Sequence, residues 1–106
     1  MNGFCVFNNV GIGARYLQER YGHKKIAIFD WDIHHGDGTQ KIFYDDPDIL
    51  FISIHRYDNG QFYPFCEEGH VSRQGSGKGK GFNINISLNY CDENMKEYRF
   101  QSPGDN

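Results

Sequence analysis

Two short runs, 25-KIAIFDW-31 and 49-ILFISIH-55, are apolar and rich in β-branched residues. Both are too short for an ordinary helix, and both read as buried strands; the first reads as buried on both faces, as in a parallel sheet. Parallel neighbours need a crossover. The segment between the runs has room for a short helix over residues 38–44, with Asp37 near its start and Pro47 stopping it. Upstream, Val10, Ala14, Leu17 and Tyr21 recur at helical spacing and predict a helix over Asn9–Tyr21. Asn8 or Asn9 serves as its cap and Gly22 ends it. Gly11 and Gly13 weaken this helix but let it approach a neighbour closely. Downstream, 82-FNINISL-88 alternates apolar and polar residues, so a third strand with one wetter face is expected.

The order helix, strand, helix, strand, loop, strand predicts an α/β layer with right-handed crossovers. Three strands with so few helices cannot cover both faces of a sheet, which points to a part of something larger. The connection over residues 56–81 is long and rich in glycine and aromatic residues, a pattern usual for functional or mobile loops. The end, 101-QSPGDN-106, reads as a frayed polar tail.

At 106 residues the chain has the length of one small domain. A net charge of −3 gives no general electrostatic case for direct nucleic-acid binding or for an anionic membrane surface. No apolar run reaches transmembrane length, and no signal-peptide pattern opens the sequence. Cys5, Cys66 and Cys91 are widely spaced, odd in number and form no CxxC pair, which fits a reducing compartment.

The chemistry concentrates in 30-DWDIHHGDGTQ-40, at the carboxyl end of the first strand. Ligands of open α/β sheets collect at such ends. In extended backbone Asp30, Asp32 and His34 would point to one side, so that a carboxylate and an imidazole two residues apart grip one cation. Oxygen and nitrogen donors suit Zn²⁺, with Fe²⁺ and Mn²⁺ as alternatives. Asp30 is placed as a supporting carboxylate or as a ligand of a harder cation. An EF-hand fails here, because His35 stands where that loop needs glycine and Lys41 where it needs glutamate. A plain polar turn is the simplest reading of a lone DxH; the buried strand before it and the glycines after it weigh against that. A phosphate loop in 75-GSGKGKG-81 also fails, since Ser72 and Gln74 occupy the positions of its first glycine and Gly79 and Gly81 follow the lysines. That segment reads as a flexible basic loop.

Four motifs in order, 3-GFCVFNN-9, 30-DWDIHHGDGTQ-40, 53-SIHRYDNGQFYP-64 and 77-GKGKGFNINI-86, resemble the zinc-dependent histone deacetylases, class II and most nearly class IIb. The resemblance implies the three-layer arginase-deacetylase fold, an α/β architecture with a central parallel sheet, present only in part. Residues 1–106 would be a central segment of the catalytic domain, with ordered motifs to about residue 88 and a frayed or divergent tail over 89–106. It implies a metal-dependent amidohydrolase acting on the acetyl amide of acetyl-lysine, in histones or tubulin, or in one branch on acetylated polyamines. Carried over by position, Asp32 and His34 are two of three zinc ligands. Asp30 and Asp37 are carboxylates that orient the family's paired catalytic histidines. Asp30, Asp32, the His34 carbonyl, Ser53 and the Ile54 carbonyl form a structural potassium site. Gly3, Phe4 and Tyr63 line the acyl-lysine tunnel, with the Gly3 carbonyl accepting from the substrate amide. The catalytic histidines, the third zinc ligand and the oxyanion tyrosine are not matched in this sequence, so the 106 residues alone are expected to be inactive. His35 reads as a packed neighbour, and His55, His70 and Cys66 as extra ligands on residue type alone. Corepressor-type protein partners and a nuclear or cytoplasmic location, or both, are the further expectations, with a role in chromatin regulation.

Overall fold

Asn8 starts the first helix: its side-chain oxygen accepts the Gly11 N–H at 2.8 Å and so satisfies one of the free donors of the first turn. The helix, α1, spans Asn9–Tyr21, and Gly22 ends it in a left-handed conformation at φ 70°. The His23 N–H reaches back to the Leu17 carbonyl, completing a glycine-terminated cap. The structure, a computed structural model, describes residues 5–90 and 98–100. After α1 come β1 (Ile26–Asp30), α2 (Asp37–Phe43), β2 (Ile49–Arg56), β3 (Asn83–Tyr90) and β4 (Tyr98–Phe100). Three single 3₁₀ turns, at Asp58–Gly60, Glu67–Gly69 and Gly77–Gly79, shape the connection from β2 to β3.

The sheet runs in chain order, β1-β2-β3-β4. The first three strands are parallel and β4 is antiparallel to β3. Register places Ile28 beside Phe51, and Asp30 beside Ser53. It continues Phe51 beside Asn83, Ser53 beside Asn85 and His55 beside Ser87. These residues share one face, whose apolar half packs against both helices and whose polar half lies under the β2–β3 loop. The apolar half is a core of Ala14, Ile28, Phe43, Ile49 and Phe51. Burying Ile49 and Phe51 contributes about 1.5–3 kcal/mol each. Gly11 lies where α1 meets α2: a Cβ there would stand 3.3 Å from Ile42 Cδ1. Asn8 Nδ2 also donates to Thr39 Oγ1, tying the start of α1 to α2.

Four expectations change. The stripe of α1 is not buried: of its four residues only Ala14 is, while Val10, Leu17 and Tyr21 are exposed. The first strand is buried on one face only, since Ala27 and Phe29 face solvent. Their side belongs to the second face of the sheet, with Ile52, Ile54, Ile84 and Ile86, over which no described helix lies. The third strand is inverted relative to its pattern. Its polar row, Asn83, Asn85, Ser87 and Asn89, is buried, and Ile84 of the apolar row is 41% exposed. The cause is the loop before it, whose carbonyls accept from that polar row. The fold class stands: a parallel sheet with helices on one face is the layered α/β fold, present in part. The strand β4 falls within residues 89–106, where no strand was expected. Gly3, Phe4, Cys91 and the 101–106 tail lie outside the described residues.

Candidate functional site

Asp30 is the last residue of β1, and the chain bends directly after it. The Asp32 N–H donates to Asp30 Oδ1 at 3.0 Å, and the His34 N–H donates to Asp32 Oδ2 at 2.9 Å. Two successive side-chain turns therefore replace extended backbone here. The alternation argument for Asp30, Asp32 and His34 does not survive, but Asp32 and His34 still meet: His34 Nδ1 lies 3.4 Å from Asp32 Oδ2. Asp30 is half-buried beside Ser53 and Asp32 is exposed. The Arg56 N–H donates to the Ile33 carbonyl at 2.9 Å and holds this bend against the end of β2.

Aromatic residues of the following loop close on the imidazole. Phe62 stacks on His34 with centroids 5.0 Å apart and planes 19° apart. Tyr63 meets the same ring edge-on, at 6.0 Å and 82°. Tyr63, expected on the substrate wall, thus stands beside the candidate metal ligand. Phe62 was not foreseen; its only signal was its place next to Tyr63 in the quoted motif.

Behind the bend is a buried polar network. Gln40 Oε1 lies 2.7 Å from His35 Nε2 and accepts from Nδ2 of Asn83 and of Asn85. Gln40 Nε2 donates to the Glu68 carbonyl. That pattern makes Oε1 an acceptor, so Nε2 of His35 carries the proton and Nδ1, which has no partner, is bare. His55 Nε2 donates to the Gly69 carbonyl, so its Nδ1 accepts from the Ser53 hydroxyl, both at 2.8 Å. Ser87 Oγ donates to the same Gly69 carbonyl. The two histidine rings lie 4.5 Å apart. Burial lowers the pKa of His35 against the opposing effect of its bond to Gln40. Burial, then the charge of His35, lowers that of His55 to about 4. Both rings are neutral packing members of the network near pH 7. His35 is a packed neighbour, as expected. The network as a whole was missed, although Asn83, Asn85, Ser87 and Asn89 announce it as a polar residue at every second position.

As metal donors, Asp32 and His34 fit two places of a zinc site in atom type and mutual distance. Among the described residues no group of three or more His, Cys, Asp or Glu side chains gathers to hold a metal. His55 is engaged at both nitrogens, and His70 Nδ1 is bonded to the Ser72 hydroxyl. Asp37 begins α2. An open cleft of about 660 Å³ lies elsewhere in the loop, between Tyr57, Phe65, Cys66, His70 and Arg73, and includes neither Asp32 nor His34.

Comparison with known proteins supplies the family. A sequence model of the histone deacetylase domain matches residues 1–101. Histone deacetylase 6 of Caenorhabditis elegans is 45% identical over 98 residues, which is 92% of this chain and 10% of that protein. Polyamine deacetylase HDAC10 of Rattus norvegicus is 48% identical over 97 residues, covering 92% of the chain and 16% of that protein. Histone deacetylase clr3 of Schizosaccharomyces pombe is 51% identical over 86 residues, 79% of the chain and 12% of that protein. A solved structure of the histone deacetylase Clr3 superposes with a TM-score of 0.77 at 46% identity, covering 81% of this chain and 15% of that one. The chain thus spans a small fraction of the length of these relatives, and they agree with the class II character of its motifs. With a domain match over nearly its whole length, and with the bend after β1 set as described, the chain belongs to the histone deacetylase family.

Proposed function

We propose that this chain is a segment of a zinc-dependent protein-lysine deacetylase domain and supplies one wall of its active site. The observation that carries the reading is the meeting of Asp32, His34 and Tyr63 at the carboxyl end of β1. When bound, zinc supplies Lewis acidity toward the acetyl carbonyl and an acidified water. Asp32 offers a carboxylate oxygen and His34 an imidazole nitrogen to that ion. Tyr63 offers an aromatic face to the aliphatic lysine stem, with a hydroxyl at its tip. Gly3 and Phe4 would complete the tunnel, and the Gly3 carbonyl would accept from the substrate amide. Asp30 and Asp37 would orient the histidines that move protons in the complete domain; Asp30 already fixes the bend through the Asp32 N–H. Asp30, Asp32, the His34 carbonyl, Ser53 and the Ile54 carbonyl would hold a structural potassium ion, an assignment supported by the pairing of Asp30 with Ser53. The domain's substrate is an acetyl-lysine protein such as a histone or tubulin, with acetylated polyamine as the competing substrate. Corepressor-type partners, chromatin regulation and nuclear or cytoplasmic residence follow from this reading.

The deciding experiment is hydrolysis of an acetyl-lysine peptide and of an acetylated polyamine by a longer product of the same gene, with and without Asp32→Ala. Turnover of the peptide that Asp32→Ala abolishes is expected. Turnover that survives Asp32→Ala would overturn the reading, and preference for the polyamine would move the substrate to that branch. A second reading, a non-catalytic binding module made of these 106 residues alone, is favoured by the absence of a three-donor cluster among the described residues. Zinc-dependent turnover by the purified 106-residue chain would reject it.

A further inference from the structure

We infer that Phe62 is a positioning residue for the metal ligand His34, held in place by Arg56 and by a lock between the β2–β3 loop and β3. The inference rests on the reading of His34 as a metal ligand and adds a role for residues outside the ligand set.

An imidazole on a bend has two rotatable bonds, and each orientation that does not face the metal lowers affinity. In this chain both donors are already turned. The Asp32 carboxylate is fixed by the His34 N–H. The His34 ring is fixed by Phe62, which covers one of its faces at 5.0 Å with planes 19° apart, while Tyr63 stands edge-on to it. Phe62 is fixed in turn. Its N–H donates to the Tyr57 carbonyl and its carbonyl accepts the Phe65 N–H. The Arg56 guanidinium lies over its ring, 4.3 Å from the centroid, in cation–π contact. Asp58 Oδ2 pairs with Arg56 Nε at 2.6 Å.

The turn that carries these residues is also pinned. Asp58 and Asn59 have positive φ, 51° and 55°. Asn tolerates that conformation better than most residues, and Asp shares the tolerance. The Asn59 N–H donates to Asn89 Oδ1, and Asn89 Nδ2 donates to Asn59 Oδ1. A buried residue of β3 therefore holds the turn whose far end presents Phe62 to His34. The neighbouring aromatics divide the work: Tyr63 faces substrate in the proposed function, and Phe62 sets the ligand ring. Mutating the hydrogen-bonded outer partners that orient metal-binding histidines typically costs about 10–100-fold in metal affinity, and the lower end of that range sets the scale for a stacked ring.

The test is a Zn²⁺ titration of the full 106-residue chain with histidine-selective isotope labelling, following the His34 ring signals by NMR. His34→Gln assigns those signals. Phe62→Leu is expected to weaken zinc affinity at His34 about tenfold, and Phe62→Tyr to keep it. A merely structural role would lower the unfolding midpoint and leave the affinity of the folded chain unchanged; that result overturns the inference. Wild-type affinity in Phe62→Leu also overturns it. If Phe62→Leu does not fold, Arg56→Met decides: several-fold weaker binding supports the inference and unchanged binding sinks it. If the wild-type His34 signals do not respond to Zn²⁺, or Asp32→Asn leaves their response unaltered, the metal-ligand reading itself fails, which is a different outcome from a silent Phe62.

Discussion

Gly36 sits where a side chain has no room. A Cβ there would stand 2.8 Å from Asp30 Oδ2 and 3.4 Å from the Phe51 ring. The Asp30 carboxylate is part of the bend, so it cannot move without releasing the Asp32 N–H. Gly36→Ala should therefore cost about 1–3 kcal/mol, the usual range for overpacking; a urea midpoint equal to wild type would contradict this. Cys66 makes a second prediction. Burial, then a hydrogen bond to the Glu68 carboxylate, raises its thiol above the ordinary value of 9.0. The thiolate is the reactive form, so a raised value means less of it at any pH below the transition. Alkylation of Cys66, followed by mass spectrometry of the labelled peptide, should keep rising through pH 9. A rate that levels off below that pH is the opposing result. At this scale the sequence located the residues that gather after β1 and was wrong about why Asp32 and His34 meet. An apolar run ending in acids placed Asp30, Asp32 and His34 at a sheet end. Strand alternation does not continue past Asp30, because short carboxylates bind nearby backbone N–H groups and bend the chain.

β3 carries the corresponding lesson for elements. Period-two alternation in 82-FNINISL-88 located a strand but not its inward face. Apolar rows usually point inward, and here the asparagines do, because the loop over residues 67–73 supplies carbonyls at the right places. Asn85 Nδ2 lies within 3.2 Å of Gln40 Oε1 and of the carbonyls of Glu68 and His70. A single sequence does not show which distant carbonyls will arrive over a strand. Asn85→Leu, close in size, removes two donated amide hydrogens, worth about 0.5–1.5 kcal/mol each, from acceptors that each keep another donor. It should destabilise the chain by about 1–3 kcal/mol and open the loop to protease. Chemical denaturation and limited proteolysis check the two effects, and unchanged values in both would refute the network's role. The α1 helix shows the converse. Its limits were legible from Asn8 and Gly22, since caps are local, whereas burial of Val10, Leu17 and Tyr21 depends on neighbours that do not lie over them among the described residues.

For the whole molecule the unequal faces of the sheet dominate. One side packs against α1 and α2. The other presents Phe29, 50% exposed, and Ile84 in a row of aliphatic side chains. Exposed apolar faces of this kind, with open strand edges, promote association. Sedimentation velocity at micromolar concentration should show the 106-residue chain self-associating. Phe29→Lys with Ile84→Lys should return it to monomer; a wild-type monomer would contradict the prediction. The same one-sidedness was legible in advance from the count of helices against strands, because too few helices cannot cover two faces. Neighbours in the sheet are neighbours in the chain, from β1 to β4. The four described strands can dock in the order in which they are synthesised, each on the edge of its predecessor. Shortening the chain from its carboxyl end would then peel off edge strands one at a time and leave the β1–β2 pair, with its bend toward Asp32 and His34, still joined.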